Sequence, residues 1–346
     1  MSRTSVVMVT TSLVFLVFPS SVFYVFSGIS AKKDLSFTTS AQAGETGIPE
    51  STGSSEKREP PAIAPDIQDT GESAPNGTVL WDTGSLRLVA DDEGEPRQLQ
   101  TAIVTLVCPA TDEHEEVRVD LVAALHIGDG TYYRTLNWLF RKYDSVLYEL
   151  VANRGSRPPR PQPGRKREPS SLVSSAQILL GETLGLKFQL EEIDYTVTNF
   201  VHADLTPEQF RNAMEQRRDG LLEMFGRTFG YTMATGNYSG NSADVDLLMS
   251  LFSGNRKQGM RRAVAESLAD SDKVAEILDG TGEEGSAIIA ARNQAAMEVL
   301  KERIAAGDRR IAIFYGGAHI PDFERRITGE FNATRTTVRW ITAWSL

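Results

Sequence analysis

The sequence predicts an α/β fold in which a mainly parallel central sheet carries flanking helices and a helical insertion. The first observation is a continuous apolar run, 121–125, that stops at His126. Such a run, bounded by glycine and an acid, is typical of a central strand covered on both faces. The second is that a helical pattern over 131–142 and another apolar run, Ser145–Val151, follow directly. They indicate a strand–helix–strand unit with parallel strands.

A hydrophobic segment is expected to precede this fold, in residues 1–31. Val6 to Phe26 is uncharged and almost wholly apolar, and about 20 such residues can cross a bilayer. The segment is either a cleaved signal peptide or an uncleaved membrane anchor. Either alternative predicts an exported protein that is secreted or held at the extracytoplasmic membrane surface. A lipid-anchored form is excluded because the only cysteine is Cys108.

Residues 32–77 are predicted to be a disordered linker, because they are rich in Ser, Thr, Gly, Pro and Glu and contain one aromatic residue. The folded domain is then 78–346. A single cysteine rules out an intrachain disulfide, and Cys108 is expected to pack as a small apolar residue. The net charge of -10 argues against nucleic acid as a partner, because phosphate contacts need a basic surface.

Within the domain, 98–108 and 116–125 are predicted to be strands joined by a polar turn. A basic, proline-rich loop, 154–168, follows the run that carries Glu149. It is either a lid for acidic substrates or lipid headgroups, or a solvated insertion. Short strands are expected over 186–193 and 197–202.

A helical subdomain is predicted over 206–278, and its first helix starts at a capping box, Thr206 to Gln209. A later helix, about 282–306, carries Asn293 where its apolar stripe expects an apolar residue. Asn293 and its neighbour Arg292 therefore either bond a buried loop or support a site. Strand 310–315, a short helix over 323–327 and a closing strand over 336–344 complete the prediction.

Polar side chains follow the predicted strands at the ends where ligands bind in sheets of this kind. They are His126, Glu149, His202, Asp204 and His319. We expect His126 and Glu149 to lie at neighbouring strand ends. Glu149 would be a metal ligand, a general base or half of a structural ion pair. Asp204 would be a second carboxylate or would fix the turn, and His202 is better explained by a structural role.

The order of these motifs resembles the TraB/GumN/TIKI family over roughly residues 100–346. The resemblance lies in His126 before a Tyr-rich helix, Tyr148-Glu149-Leu150, Arg292-Asn293, and Tyr315-Gly316-Gly317-Ala318-His319-Ile320-Pro321. That family is marked by two Gly-x-x-His motifs with a glutamate between them. The second motif, Gly316 to His319, is intact, whereas the first has Ala123 at the glycine position. The added methyl could crowd a backbone that must approach another strand closely.

The resemblance implies a metal-dependent hydrolase, which is demonstrated as a protease for animal TIKI members and inferred for most bacterial ones. Two histidines and a glutamate are also ligand types of catalytic sites that hold a divalent metal. We therefore expect His126, Glu149 and His319 to be catalytic and, with Asp204, to bind Mn, Co, Zn or Fe. Supporting roles are expected for Arg292, Asn293, Gly316, Gly317 and His202.

The expected substrate is a peptide or another amide or ester, and the peptide is favoured only by the resemblance. The alternative is a non-catalytic extracytoplasmic protein that binds a peptide signal, or haem through His126 or His319. A purely structural envelope protein would leave the strand-end histidines without a role.

Overall fold

A computed structural model describes residues 77–112, 114–160, 184–215 and 285–346, together with positions 258, 261, 262 and 265. The predicted N-terminal segment (1–31), the linker except residue 77, residues 161–168 of the basic loop, and most of the subdomain 206–278 lie outside the described residues. In the part that is described, no helix is both long enough and apolar enough to cross a membrane.

The described ranges contain ten strands and five α-helices. The strands are β1 Thr78–Asp82, β2 Leu86–Ala90, β3 Pro96–Cys108, β4 Val117–Ala124, β5 Ile127–Gly128, β6 Ser145–Tyr148, β7 Lys187–Phe188, β8 Phe200–His202, β9 Arg310–Gly316 and β10 Thr334–Ser345. The helices are α1 Gly130–Phe140, the single turn α2 Gln189–Glu192, α3 Pro207–Glu215, α4 Gly285–Ala305 and α5 Ile320–Phe331. A 3-10 turn, Gly317–His319, joins β9 to α5.

The main sheet is mixed rather than mainly parallel. Its order is β1-β2-β3-β4-β9-β6-β8, and β10 pairs with β3. The strands from β4 to β8 in this order are parallel, whereas all pairs among β1, β2, β3, β4 and β10 are antiparallel. The cause lies in the connections: the links from β1 to β4 are short, and a parallel pair needs a crossover of about a dozen residues.

Strand β9 lies between β4 and β6. The prediction that His126 and Glu149 follow neighbouring strands was therefore wrong, although the strands are parallel as expected. β9 is almost wholly apolar, and every residue after Arg310 is buried. Such a strand is best accommodated in the centre of the sheet, with a partner on each side.

Helices cover both faces of the parallel half of the sheet. Alternate residues of β9 point to opposite faces, so that Ile311 and Ile313 join one buried cluster and Ala312 and Phe314 join the other. α4 and α5 pack against the first face, and α1 against the second. The arrangement is a three-layer α/β/α domain, which agrees with the predicted fold class.

Several local predictions are also confirmed, with changed boundaries. Thr206 and Gln209 form the capping box. The Thr206 N–H donates to Oε1 of Gln209 at 2.9 Å, and the Gln209 N–H donates to Oγ1 of Thr206 at 3.2 Å. Cys108 is fully buried, and this burial raises the pKa of its thiol to about 11. One local prediction was wrong, because 186–193 is not a single strand but the two-residue β7 followed by α2.

The described part of the basic loop runs beside the segment that enters β8. Arg157 donates hydrogen bonds to the carbonyls of Val197 and Phe200, at 3.1 and 3.0 Å. The Ser156 carbonyl accepts a hydrogen bond of 2.8 Å from the Tyr148 hydroxyl. The first residues of the loop are thus attached to the parallel half of the sheet.

Candidate functional site

The carboxyl ends of the four parallel strands meet at one edge of the sheet. His126 follows β4 by two residues, Glu149 follows β6 directly, and Asp204 follows β8 by two residues. His319 ends the 3-10 turn after β9. The parallel register of these strands brings side chains that are far apart in sequence to the same edge.

Arg292 on α4 lies at the centre of this group. Its Nη1 is 2.8 Å from Oε1 of Glu149, and its Nη2 is 2.5 Å from Oδ2 of Asp204. Burial alone would raise the pKa of Glu149, but the charge of Arg292, with smaller effects of both histidines and the Gly316 N–H, lowers that pKa to about 2. Arg292 is thus a direct partner of both carboxylates, a closer role than the expected supporting one.

Asp204 is used by Arg292 and by the backbone. Its Oδ1 accepts hydrogen bonds from Nε of Arg292 at 3.0 Å and from the Leu205 N–H at 2.7 Å. Together with the Oδ2 contact, this arrangement holds the guanidinium with both carboxylate oxygens. We therefore assign Asp204 to Arg292 and to the turn rather than to a metal.

His202 is held away from the two carboxylates by a backbone bond. Its Nε2 lies 2.6 Å from the Leu150 carbonyl, to which the ring donates. The ring also stacks edge-on against Tyr148, with 5.8 Å between the ring centroids. Both contacts join β8 to the end of β6, so His202 fixes the strand that leads to Asp204.

The tautomer of neutral His319 follows from its hydrogen bonds. The Nδ2 group of Asn293 donates to the His319 carbonyl at 3.2 Å and to Oδ2 of Asp322 at 2.9 Å. This fixes the orientation of the amide, so Oδ1 of Asn293 faces Nδ1 of His319 at 2.6 Å and must accept its proton. In the neutral ring, Nε2 then has a free lone pair, and it lies 3.8 Å from Oε1 of Glu149.

Burial lowers the pKa of His319 to about 4, although the charge of Glu149 opposes this shift. The unfolded chain therefore binds more protons than the folded protein between about pH 4 and pH 6.5, and stability must fall as the pH is lowered through this window. We expect the metal-free protein to lose a few kcal/mol in this range, and His319→Gln to reduce the slope. Urea unfolding at several pH values measures it. Equal slopes for parent and variant would contradict this assignment.

Gly316 ends β9 and Gly317 begins the 3-10 turn; neither has left-handed backbone, and only Gly317 is required by a close approach. Gly316 has φ -52°, and its N–H donates to Oε2 of Glu149 at 2.8 Å. A Cβ atom on Gly317 would lie 3.2 Å from Oγ of Ser85, closer than most side chains allow. Ala123 is fully buried within β4, where its methyl packs in the core.

The site also contains two residues that the sequence analysis did not identify. Gln189, at the start of α2, is 5% exposed, and its Nε2 donates to the Tyr195 hydroxyl at 2.8 Å. Asp322 orients Asn293, as described above. Gln189 follows a two-residue strand without a periodic pattern, so no sequence signal marked it. Asp322 was detectable only as an acid in the first turn of α5.

The imidazole and carboxylate groups of the site are chemically suited to a cation. Among the described residues, however, no three or more His, Cys, Asp or Glu side chains are already arranged to coordinate a metal ion. Two carboxylates and one guanidinium leave one negative charge in excess. Nε2 of His126 is buried and makes no hydrogen bond, whereas Oε1 of Glu149 has Nη1 of Arg292 at 2.8 Å. An unpartnered buried nitrogen is costly in a protein interior unless a ligand, ion or water satisfies it.

Comparisons of the chain with protein-family models, with curated proteins and with solved structures found no match. The function of the site is therefore argued from its residues and their geometry.

Proposed function

We propose that the protein is a metal-dependent hydrolase of peptides or other amides, with His126, Glu149 and His319 as the residues that hold the metal. The observation that carries this proposal is the pair formed by Nε2 of His319 and Oε1 of Glu149, 3.8 Å apart. Asn293 fixes the ring so that a nitrogen lone pair faces an ionised carboxylate oxygen. Arg292 already contacts this oxygen at 2.8 Å, so the lone pair of Nε2 is the group that a bound cation would satisfy.

The charge of the site supports a metal rather than a proton as the missing cation. The pKa of His319 is lowered to about 4, and burial also lowers the pKa of His126. Neither ring is then positively charged at neutral pH, so neither offsets the excess negative charge left by Glu149, Asp204 and Arg292. A histidine binds a metal through an unprotonated imidazole, and a glutamate binds it through an ionised carboxylate. These are the protonation states that the surroundings of His126, His319 and Glu149 favour.

The low pKa of Glu149 distinguishes between its two proposed roles. A general base works best when its pKa is near the operating pH, and a carboxylate with a pKa of about 2 is a weak base. The Gly316 N–H and Arg292 also fix both of its oxygens in place. We therefore assign Glu149 as a ligand. When bound, the divalent metal would polarise the substrate carbonyl and lower the pKa of a water molecule.

The resemblance to the TraB/GumN/TIKI family supports the same reaction class and favours a peptide over an ester. The metal is proposed to be Mn, Co, Zn or Fe, since two imidazoles and one carboxylate suit all four. We also propose that the domain acts outside the cytoplasm, with residues 1–31 as signal or anchor and 32–77 as linker. This localisation is supported by the apolar run Val6 to Phe26.

Metal analysis of the purified full-length protein, beside His126→Ala and His319→Ala, tests the proposal. We expect about one equivalent of metal in the parent after reconstitution, its loss in both variants, and metal-dependent cleavage of a peptide library by the parent alone. A parent that binds no metal after reconstitution with each of the four ions would refute the hydrolase. A Soret band on haem titration that disappears in His126→Ala would then favour the haem-binding alternative.

A further inference from the structure

The short antiparallel pair β5–β7 places Gln189 opposite His126. Ile127 pairs with Phe188 and Gly128 with Lys187, so the next position in the register joins His126 to Gln189. The Gln189 N–H donates to the His126 carbonyl at 2.9 Å, which continues the ladder by one residue. Directly opposed residues of an antiparallel pair have neighbouring side chains on the same face.

The side chain of Gln189 presents its oxygen without a donor. Its Nε2 is taken by the Tyr195 hydroxyl, whereas its Oε1 is buried and makes no hydrogen bond. His126 can supply that donor, because a neutral imidazole always carries an N–H on one of its two ring nitrogens. The Gln189 side chain interacts with His126 and raises the pKa of the ring, although burial lowers it more strongly.

We propose that Gln189 is a positioning residue for His126: its Oε1 accepts the ring N–H and leaves the other ring nitrogen free to bind the metal. The inference rests on the proposed function, in which His126 is a ligand. Each ligating histidine would then have its own carboxamide partner, Asn293 for His319 and Gln189 for His126. Partners of this kind fix the tautomer and orientation of a metal-binding imidazole.

Tautomer measurements on the metal-free, full-length protein test this role without any activity. Long-range ¹H–¹⁵N spectra at neutral pH should show a single tautomer for His126 in the parent and in Gln189→Glu, which keeps an oxygen acceptor. Gln189→Met, similar in size but without an acceptor, should show a mixture. A mixture in the parent, or an unchanged single tautomer in Gln189→Met, would overturn the proposal.

Titration with Co²⁺, followed by visible absorption, supplies the second measurement. Gln189→Met should bind Co²⁺ about 10- to 100-fold more weakly than the parent, and Gln189→Glu should not be weakened. The control is Gln100→Met, because Gln100 is equally buried but bonds Arg87 on β2 instead. If the parent binds Co²⁺ and Gln189→Met binds it equally well, this inference fails and the proposed function stands. If the parent binds neither Co²⁺ nor any of the other three ions, the metal proposal fails, and the tautomer spectra still decide the role of Gln189.

Discussion

Replacement of Arg292 with methionine is expected to destabilise the protein by about 3–5 kcal/mol, the usual cost of breaking a buried ion pair from one side. The guanidinium is 1% exposed and contacts both Glu149 and Asp204. Without it, two buried carboxylates remain, and neither has another cationic partner among the described residues. Urea unfolding at pH 7, in the absence of metal, measures the loss.

Two comparisons separate this effect from the loss of an ordinary helix contact. Arg303 lies on the same helix and forms an ion pair with Asp308 at 2.8 Å. The side chain of Arg303 is 35% exposed. Arg303→Met should cost no more than about 1 kcal/mol. The penalty of Arg292→Met should also shrink as the pH is lowered, because protonation removes the uncompensated charges. A loss below about 1 kcal/mol for Arg292→Met would show that the carboxylates do not depend on this arginine.

The strand ends that form the site were predictable because the sequence carries a local signal for each of them. A buried strand is a run of apolar residues, and a polar residue at its end is conspicuous for that reason. Asn293 was found in the same way, as a polar side chain on the apolar stripe of α4. In each case the side chain interrupts a periodic pattern, and the pattern lies within a single element.

The order of the strands carries no comparable signal. β9 is the ninth strand among the described residues but lies between the fourth and the sixth, and only tertiary packing determines that position. The antiparallel half of the sheet was underestimated for a related reason. The predicted fold class rested on the strand–helix–strand unit around Thr131–Lys142, whereas β10 returns along the whole of β3 from the other end of the chain.

The partners of the site residues were still harder to predict. Arg292 was expected to have a supporting role, but its contacts with both carboxylates depend on the packing of α4 against β6. Gln189 reaches His126 through a pairing of only two residues on each side. Contacts between residues that are distant in sequence produce no periodic pattern when they depend on short elements. Sequence patterns therefore identify the ends of strands better than they identify the residues that contact those ends.

Glu149→Gln is expected to abolish metal binding and to reduce amide hydrolysis on the order of 10³-fold or more. A metal that polarises a carbonyl contributes several kcal/mol to transition-state stabilisation, and each 1.4 kcal/mol or so corresponds to a factor of ten in rate. Glutamine can still accept the hydrogen bond that the Gly316 N–H gives to Oε2. The backbone after β9 should therefore keep its conformation, and metal analysis with a peptide substrate measures the loss.

Metal binding, rather than stability, distinguishes this functional role from a purely structural ion pair. Because Arg292 lowers the pKa of Glu149, the ionised carboxylate stabilises the folded metal-free protein, and Glu149→Gln should lose that contribution. The loss should be smaller than for Arg292→Met, because Asp204 still neutralises the guanidinium. Glu298→Gln, at an exposed position of α4, should change neither stability nor hydrolysis. A Glu149→Gln variant that binds metal as well as the parent does would instead assign Glu149 to the support of Arg292 alone.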